Sequence, residues 1–219
     1  MCNRYRNTLG WTDIHEDFSQ LRIPLKFPHL PPNLEPRADI RPTNTAHIVR
    51  AIDPADPGQG VGLYALRWDL VPFFHKGPLK AKKYLCTNAR SETVATTAAF
   101  REPFKRRRCL VPANGFYEWT GEKGAKTKHL ITTTDHPWFC MAGLWDRADT
   151  ADGPVESFTI LTTAAGDDMT VIHDRQPVIL NRDHWALWLD PTADASDFFP
   201  AKPAGHLQIQ LAPAETAPL

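Results

Sequence analysis

The chain has 219 residues, 42% of them hydrophobic, and its 25 basic side chains balance 25 acidic ones. A chain this long removes about 70–75% of its unfolded surface from water on folding, so a core forms without disulfide or metal staples. Ordinary apolar content excludes a disordered chain, and no stretch approaches the ~20 apolar residues of a membrane span. The N-terminal Met-Cys-Asn-Arg-Tyr-Arg lacks the apolar segment of a signal peptide, which predicts a cytoplasmic protein.

Residues 12–21 read as a helix, with Thr12 as N-cap and Ile14, Phe18 and Leu21 at helical spacing. Pro24, Pro28, Pro31, Pro32, Pro36 and Pro42 follow and impose an extended traverse. The 20 prolines are nearly twice the usual ~5% share and argue against long helical bundles. Strand-like runs cover His47–Ile52, Gly62–Trp68, Cys109–Ala113, His129–Thr133, Trp138–Trp145, Ser157–Thr163, Val178–Leu180 and His206–Leu211. Short helices are expected at Glu92–Phe100 and Arg182–Leu189, the second capped by Asn181, and a polar turn at Asp146–Pro154. Strands outnumber helices and do not alternate with them, so the class is α+β with a largely antiparallel sheet. No boundary divides the chain, and residues 1–219 read as a single domain whose 191–219 end is a Pro/Ala-rich extension with one strand.

Zero net charge conceals segregation. Between Arg67 and Arg108 stand eleven Lys or Arg against three acids, a local surplus of eight, and the acids concentrate after Asp146. Such a surplus suits either a polyanion or plain solvation of a surface loop. Cys86, Cys109 and Cys140 are widely spaced and read as small buried hydrophobes, with no metal-binding pair among them.

Cys2 differs by position. Removal of Met1 would leave an α-amine and a thiol on adjacent carbons, with ordinary pKa values of about 7.7–8.0 and 8.5. That 1,2-aminothiol can attack an amide through sulfur, or condense with an aldehyde to an imine and then a thiazolidine. Three polar passages accompany it. Thr87-Asn88-Ala89-Arg90-Ser91-Glu92-Thr93 gathers an amide, a guanidinium and a carboxylate. Glu118 follows the Asn114–Gly115 turn on one strand face with Phe116, as a proton shuttle raised by burial or as an edge glutamate in an ion pair. His173 lies between apolar runs, as an acid/base or a satisfied core histidine.

These segments resemble the SRAP (SOS response-associated peptidase) family across most of the chain. The matching passages are Cys2-x-Arg4-Tyr5, Arg67-Trp68-x-Leu70-Val71-Pro72, Asn88-Ala89-Arg90-x-Glu92-Thr93, Arg107-Arg-Cys109 through Glu118-Trp119, Ala142-Gly-Leu-Trp145 and His173-x-Arg175-x-Pro177. Asp69 departs from the family's usual glycine, Asn3 from a frequent glycine and Gln176 from a frequent methionine; an acid at 69 is expected to weaken DNA binding. The resemblance implies a β-barrel-like core with flanking short helices and a basic cleft ending at the cysteine. It implies an active site of Cys2, Asn88, Glu118 and His173, and capture of abasic sites in single-stranded DNA as a thiazolidine crosslink. Arg4 and Arg90 are expected to contact phosphates and Trp68 to stack on a base, with Pro42 completing the DNA-binding set. No cofactor or metal is implied, and the protein is expected to be a DNA-associated monomer whose peptidase activity amounts to removal of its own leader. Two alternatives stay open. An N-terminal-cysteine amidohydrolase would use Cys2 with Asn114–Gly115 as oxyanion site, and a non-catalytic nucleic-acid-binding module would leave Cys2 unexplained.

Overall fold

Runs of alternating apolar residues need a sheet with one dry face, and here five strands supply it by closing on themselves. The computed structural model describes residues 2–26, 34–122, 124–195, 198–201 and 203–212. In chain order the elements are β1 (Tyr5–Asn7), α1 (Trp11–Gln20), β2 (Leu25–Lys26), β3 (Arg37–Ile40), β4 (Thr45–Ala51), β5 (Val61–Trp68), β6 (Asn88–Arg90) and α2 (Arg101–Arg106). They continue with β7 (Arg108–Ala113), β8 (Gly115–Thr120), β9 (Thr127–Thr133), β10 (Phe139–Thr150), β11 (Gly153–Ala164), β12 (Arg175–Pro177), β13 (Ile179–Leu180), α3 (Trp185–Leu189) and β14 (Leu207–Leu211). Strands β11, β10, β7, β4 and β5 pair in that order, and β5 returns to β11 through parallel pairing at Ser157↔Arg67 and Phe158↔Trp68. The class is therefore mixed α and β around a closed barrel, with mostly antiparallel sheets and short helices.

Inside the barrel, Ile48, Leu66, Trp68, Cys109, Val111, Met141, Phe158 and Ile160 are all buried. Gly143 is required there, because a Cβ would meet the Cys109 sulfur at 2.8 Å and the Val111 side chain at 2.9 Å. The opposite strand faces carry Val49, Leu63, Leu110, Cys140 and Leu161 into a second core under α1 and α3, where Ile14 and Phe18 meet Trp185. A separate sheet, ordered β14–β9–β8–β1–β3, closes one barrel end with Tyr5 and Phe116. No helix among the described residues is long and apolar enough to cross a membrane.

All eight expected strand runs are strands. The first helix starts at Trp11, with Gly10 rather than Thr12 at the cap position; the Gly10 N–H donates to Asp13 at 2.7 Å. Residues 92–100 form successive turns instead of a helix, because the Thr96 and Thr97 hydroxyls both donate to the Thr93 carbonyl. The helix comes later, as α2, whose Pro103 is tolerated in the first turn. Asn181 precedes a 3₁₀ turn (Arg182–His184) leading into α3, and its side chain makes no capping bond. The expected polar turn shrinks, because β10 and β11 extend as a ribbon to Thr150↔Gly153. Pro28, Pro31 and Pro32 of the traverse, and residues 213–219 of the C-terminal extension, lie outside the described residues.

Candidate active site

Cys2 is fully buried at the barrel end closed by Tyr5. Its Sγ lies 3.9 Å from the Arg4 carbonyl, and burial, with the Glu118 charge second, pushes the thiol well above its ordinary range. The thiol is thus protonated near neutrality. Asn88 holds the residue from the other side, its Nδ2 donating to the Cys2 carbonyl at 3.0 Å. The Asn88 backbone is fixed by parallel pairing with Ile160 of β11. Its side chain is steadied by Asn3 Oδ1 at 3.3 Å and Thr87 Oγ1 at 3.4 Å, while its own Oδ1 is buried without a hydrogen-bond partner among the described residues. An unused acceptor beside a candidate nucleophile is where a substrate hydroxyl or an amine would dock.

Glu118 enters from β8, 4% exposed, on the face it shares with the buried Phe116. Burial raises its carboxyl above the ordinary carboxylate range, and the nearby His173 only partly offsets this. His173 is half-buried, and its Nδ1 accepts the Arg175 backbone N–H at 2.9 Å. The exposed Asp174 carboxylate lies 2.7 Å from the same Nδ1 and calls for a proton there, so the two neighbours of this nitrogen ask for opposite tautomers. The Arg175 guanidinium clasps Glu92 at 2.5 and 3.0 Å and donates to the Thr162 carbonyl at 2.7 Å, locking the histidine segment to the segment that carries Asn88. Cys2, Asn88, Glu118 and His173 therefore converge from four separate stretches of chain.

The expected DNA contacts divide. Arg90 is exposed on β6, and Pro42 is half-buried in the β3–β4 turn. Arg4 pairs with Asp39 at 2.6 and 2.5 Å and lies 5.4 Å from the Trp119 ring, so its cation is already partly committed. Trp68 offers no face for stacking. It is fully buried, donates its Nε1–H to the Thr87 carbonyl at 2.9 Å, meets Tyr5 edge-on at 5.1 Å and stacks on Phe158 at 6.4 Å. Its position in β5 has the parity of Leu66, which is why the indole points inward. Tyr84, 54% exposed and four residues before Asn88, is the aromatic ring nearest in sequence that is open to solvent; the basic-aromatic run Lys82-Lys83-Tyr84 is the signal that would have found it.

The basic stretch is likewise partly spent inside the fold. Lys82 Nζ donates to Asp69 at 2.6 Å, Arg107 faces Asp146 at 3.2 Å, and the buried Arg108 donates to the carbonyls of Phe104, Asp190 and Ala193. Asp69 is a structural acid rather than a DNA-facing one. It is 2% exposed and accepts both Lys82 and the Cys86 N–H, at 2.7 Å for the latter. Its φ of 138° is a conformation that favours glycine. Asn114, wanted as an oxyanion donor by the amidohydrolase alternative, spends its N–H on the Arg6 carbonyl and its Nδ2 on Thr8.

Comparison with known proteins bears on this arrangement. The family described as SOS response associated peptidase (SRAP) matches residues 1–216. The Bacillus subtilis protein named "Abasic site processing protein YoaM" is 34% identical over 201 residues, covering 90% of this chain and 83% of the relative. The Gallus gallus protein named "Abasic site processing protein HMCES" is 33% identical over 168 residues, 64% of this chain and 50% of its own length. A crystal structure of a Bordetella bronchiseptica protein shares the fold with a TM-score of 0.78 at 27% identity, covering 97% of this chain and all of the other.

Proposed function

This chain belongs to the SRAP (SOS response associated peptidase) family, and from that premise we propose that it captures abasic sites in single-stranded DNA through Cys2. The observation that carries the reading is the buried Cys2, with Asn88 on its carbonyl and a carboxyl raised by burial within electrostatic reach. A protonated thiol is a poor first nucleophile, whereas a terminal amine is partly neutral at pH 7. The amine, freed by loss of Met1, attacks first.

Glu118, holding its proton, donates it to the ring oxygen of the abasic sugar, the bond from that oxygen to the anomeric carbon breaks, and the anomeric hydroxyl gives its proton to water to leave the aldehyde. The Cys2 amine adds to the aldehyde carbon to give a carbinolamine. His173 relays a proton from the carbinolamine nitrogen to its hydroxyl, water departs, and an imine remains. The Cys2 sulfur then bonds to the imine carbon, the thiol proton passes to nitrogen, and a five-membered thiazolidine closes without oxidant or reductant. Asn88 keeps the nucleophile in place, and Arg4, Arg90, Pro42 and Tyr84 form the rim along which an unpaired strand lies.

Mixing the protein with a single strand carrying one abasic site tests the reading on a denaturing gel. The expected result is a heat-stable DNA–protein species with the abasic strand and none with the intact strand. Release of ammonia from glutamine, with no such species, would establish the amidohydrolase instead.

A further inference from the structure

The barrel end away from Cys2 holds a cavity that the proposed chemistry does not use. Strand β11 pairs with Asn88 at Ile160 and, four residues earlier, reaches Glu156, about 13 Å away at the rise of a strand. There Glu156, Trp145 and Arg107 border an open cavity of about 520 Å³, with Phe73, Arg106 and Arg147 around it. That volume falls within the range of small-ligand sites.

Trp145 and Glu156 of the lining are held from behind by Arg50, which does not itself border the cavity. The Arg50 guanidinium, 8% exposed, lies 4.1 Å from the Tyr64 ring and 3.7 Å from the Trp145 ring and donates to Glu156 at 3.1 Å. Its Nη1 is buried without an acceptor among the described residues. The carboxylates of the lining are mostly engaged: Asp146 faces Arg107 and accepts the Phe73 N–H at 2.9 Å, and Glu156 is held by Arg50. Glu102, one turn before Arg106 on α2, is the remaining acid. Arg106 and Arg147 are exposed, and the Arg147–Asp149 contact of 3.9 Å between two solvated side chains is weak. Phe73 is 47% exposed. The loop from Phe73 back to Asn88 also exposes Phe74, Lys80, Lys83 and Tyr84, so aromatic and cationic groups run between the two barrel ends.

Aromatic rings beside uncommitted guanidinium groups are the two requirements of an unpaired nucleotide. Resting on the reading of the protein as a single-strand binder, we infer that this cavity is a second nucleotide subsite. It takes one unpaired nucleotide of the strand captured at Cys2, with the base against Phe73 and Trp145 and the phosphate on Arg106 and Arg147.

The test compares an undamaged thymidine dinucleotide with an oligothymidylate of about 12 nucleotides by fluorescence anisotropy. Only the longer one reaches both ends of the barrel. Phe73→Ala is expected to weaken the longer strand about tenfold and the shorter less than twofold. Arg106→Ala with Arg147→Ala is expected to lower the slope of log affinity against log salt by about 1, for the longer strand alone. Equal losses at both lengths, or no loss at either, would overturn the subsite. Both variants should capture a short abasic strand at the wild-type rate; slower capture would also overturn it, since the cavity would then belong to the Cys2 site. Failure of the wild type to capture any abasic strand would sink the proposed function but leave the length comparison standing.

Discussion

At one end of the barrel Arg50 lies between Tyr64 and Trp145 and pairs with Glu156; at the other, Glu118 is buried with its carboxyl raised and Cys2 with its thiol raised. Both ends bury ionisable groups on the strands of one small barrel. The Arg50 end matches its charge with an opposite charge and two ring faces, an arrangement that serves rigidity. The Cys2 end suppresses ionisation by desolvation, which leaves protons available for transfer. The difference teaches that burial alone does not mark a functional site; the two ends are separated by whether the buried group meets an opposite charge.

The largest break in this comparison falls on Glu118 and His173, the two residues proposed to move protons. Glu118→Gln and His173→Ala are each expected to slow capture of an abasic strand by about 10²–10⁴-fold while leaving affinity for an undamaged strand nearly unchanged, measured by quenched-gel time courses and anisotropy. Because burial raises Glu118, its proton is present below the raised value and lost as pH rises through it. Capture through this acid should therefore fall with rising pH, and Glu118→Gln should lack that limb. The stability contribution has the same sign: the neutral carboxyl favours the fold at low pH and the advantage disappears as pH rises past the folded value.

Breaking the compensated end should do the reverse. Arg50→Leu strands the partly exposed Glu156 and empties the space between two rings, at a cost of about 3 kcal/mol in urea unfolding, with capture of a short abasic strand unchanged. A loss of capture matching the loss of stability would erase the distinction between the ends.

Asp39 gives the smallest and oppositely signed effect. Burial alone would raise it, but the bonds from Arg4 and Arg41 hold it at about 2. Its contribution is present above the ordinary aspartate value and lost as pH falls toward about 2, the opposite of Glu118. Asp39→Asn should cost on the order of 1 kcal/mol at neutral pH, since the pair is partly solvated, and should remove that acid-side loss from a pH series of unfolding midpoints.

Much of this was legible in the sequence, for identifiable reasons. The strand runs are β-branched or aromatic with turn residues at their ends, and all of them pair. The convergence of Cys2, Asn88, Glu118 and His173 was reachable only through motif resemblance, since no spacing rule links positions so far apart in the chain. Trp68 was misread as a DNA contact although its parity with Leu66 in β5 already pointed it inward. The turns at 92–100 were misread as helix because threonine hydroxyls compete for backbone carbonyls in a way that apolar spacing does not register. The surplus of cations over 67–108 could not reveal that Lys82, Arg107 and Arg108 are spent on internal partners, which are contributed by Asp69, Asp146 and backbone carbonyls.

The central claim is that the Cys2 amine attacks the abasic aldehyde and the Cys2 thiol then seals the adduct, and Cys2→Ala separates the two steps. With Met1 removed, the variant keeps a terminal amine and can still form an imine, but it has no sulfur with which to close the ring. Wild type is expected to give a heat-stable adduct whose intact mass equals protein plus DNA minus one water. Cys2→Ala is expected to give an adduct only when borohydride is added, accompanied by strand scission when it is not. A heat-stable adduct from Cys2→Ala without borohydride would contradict the account.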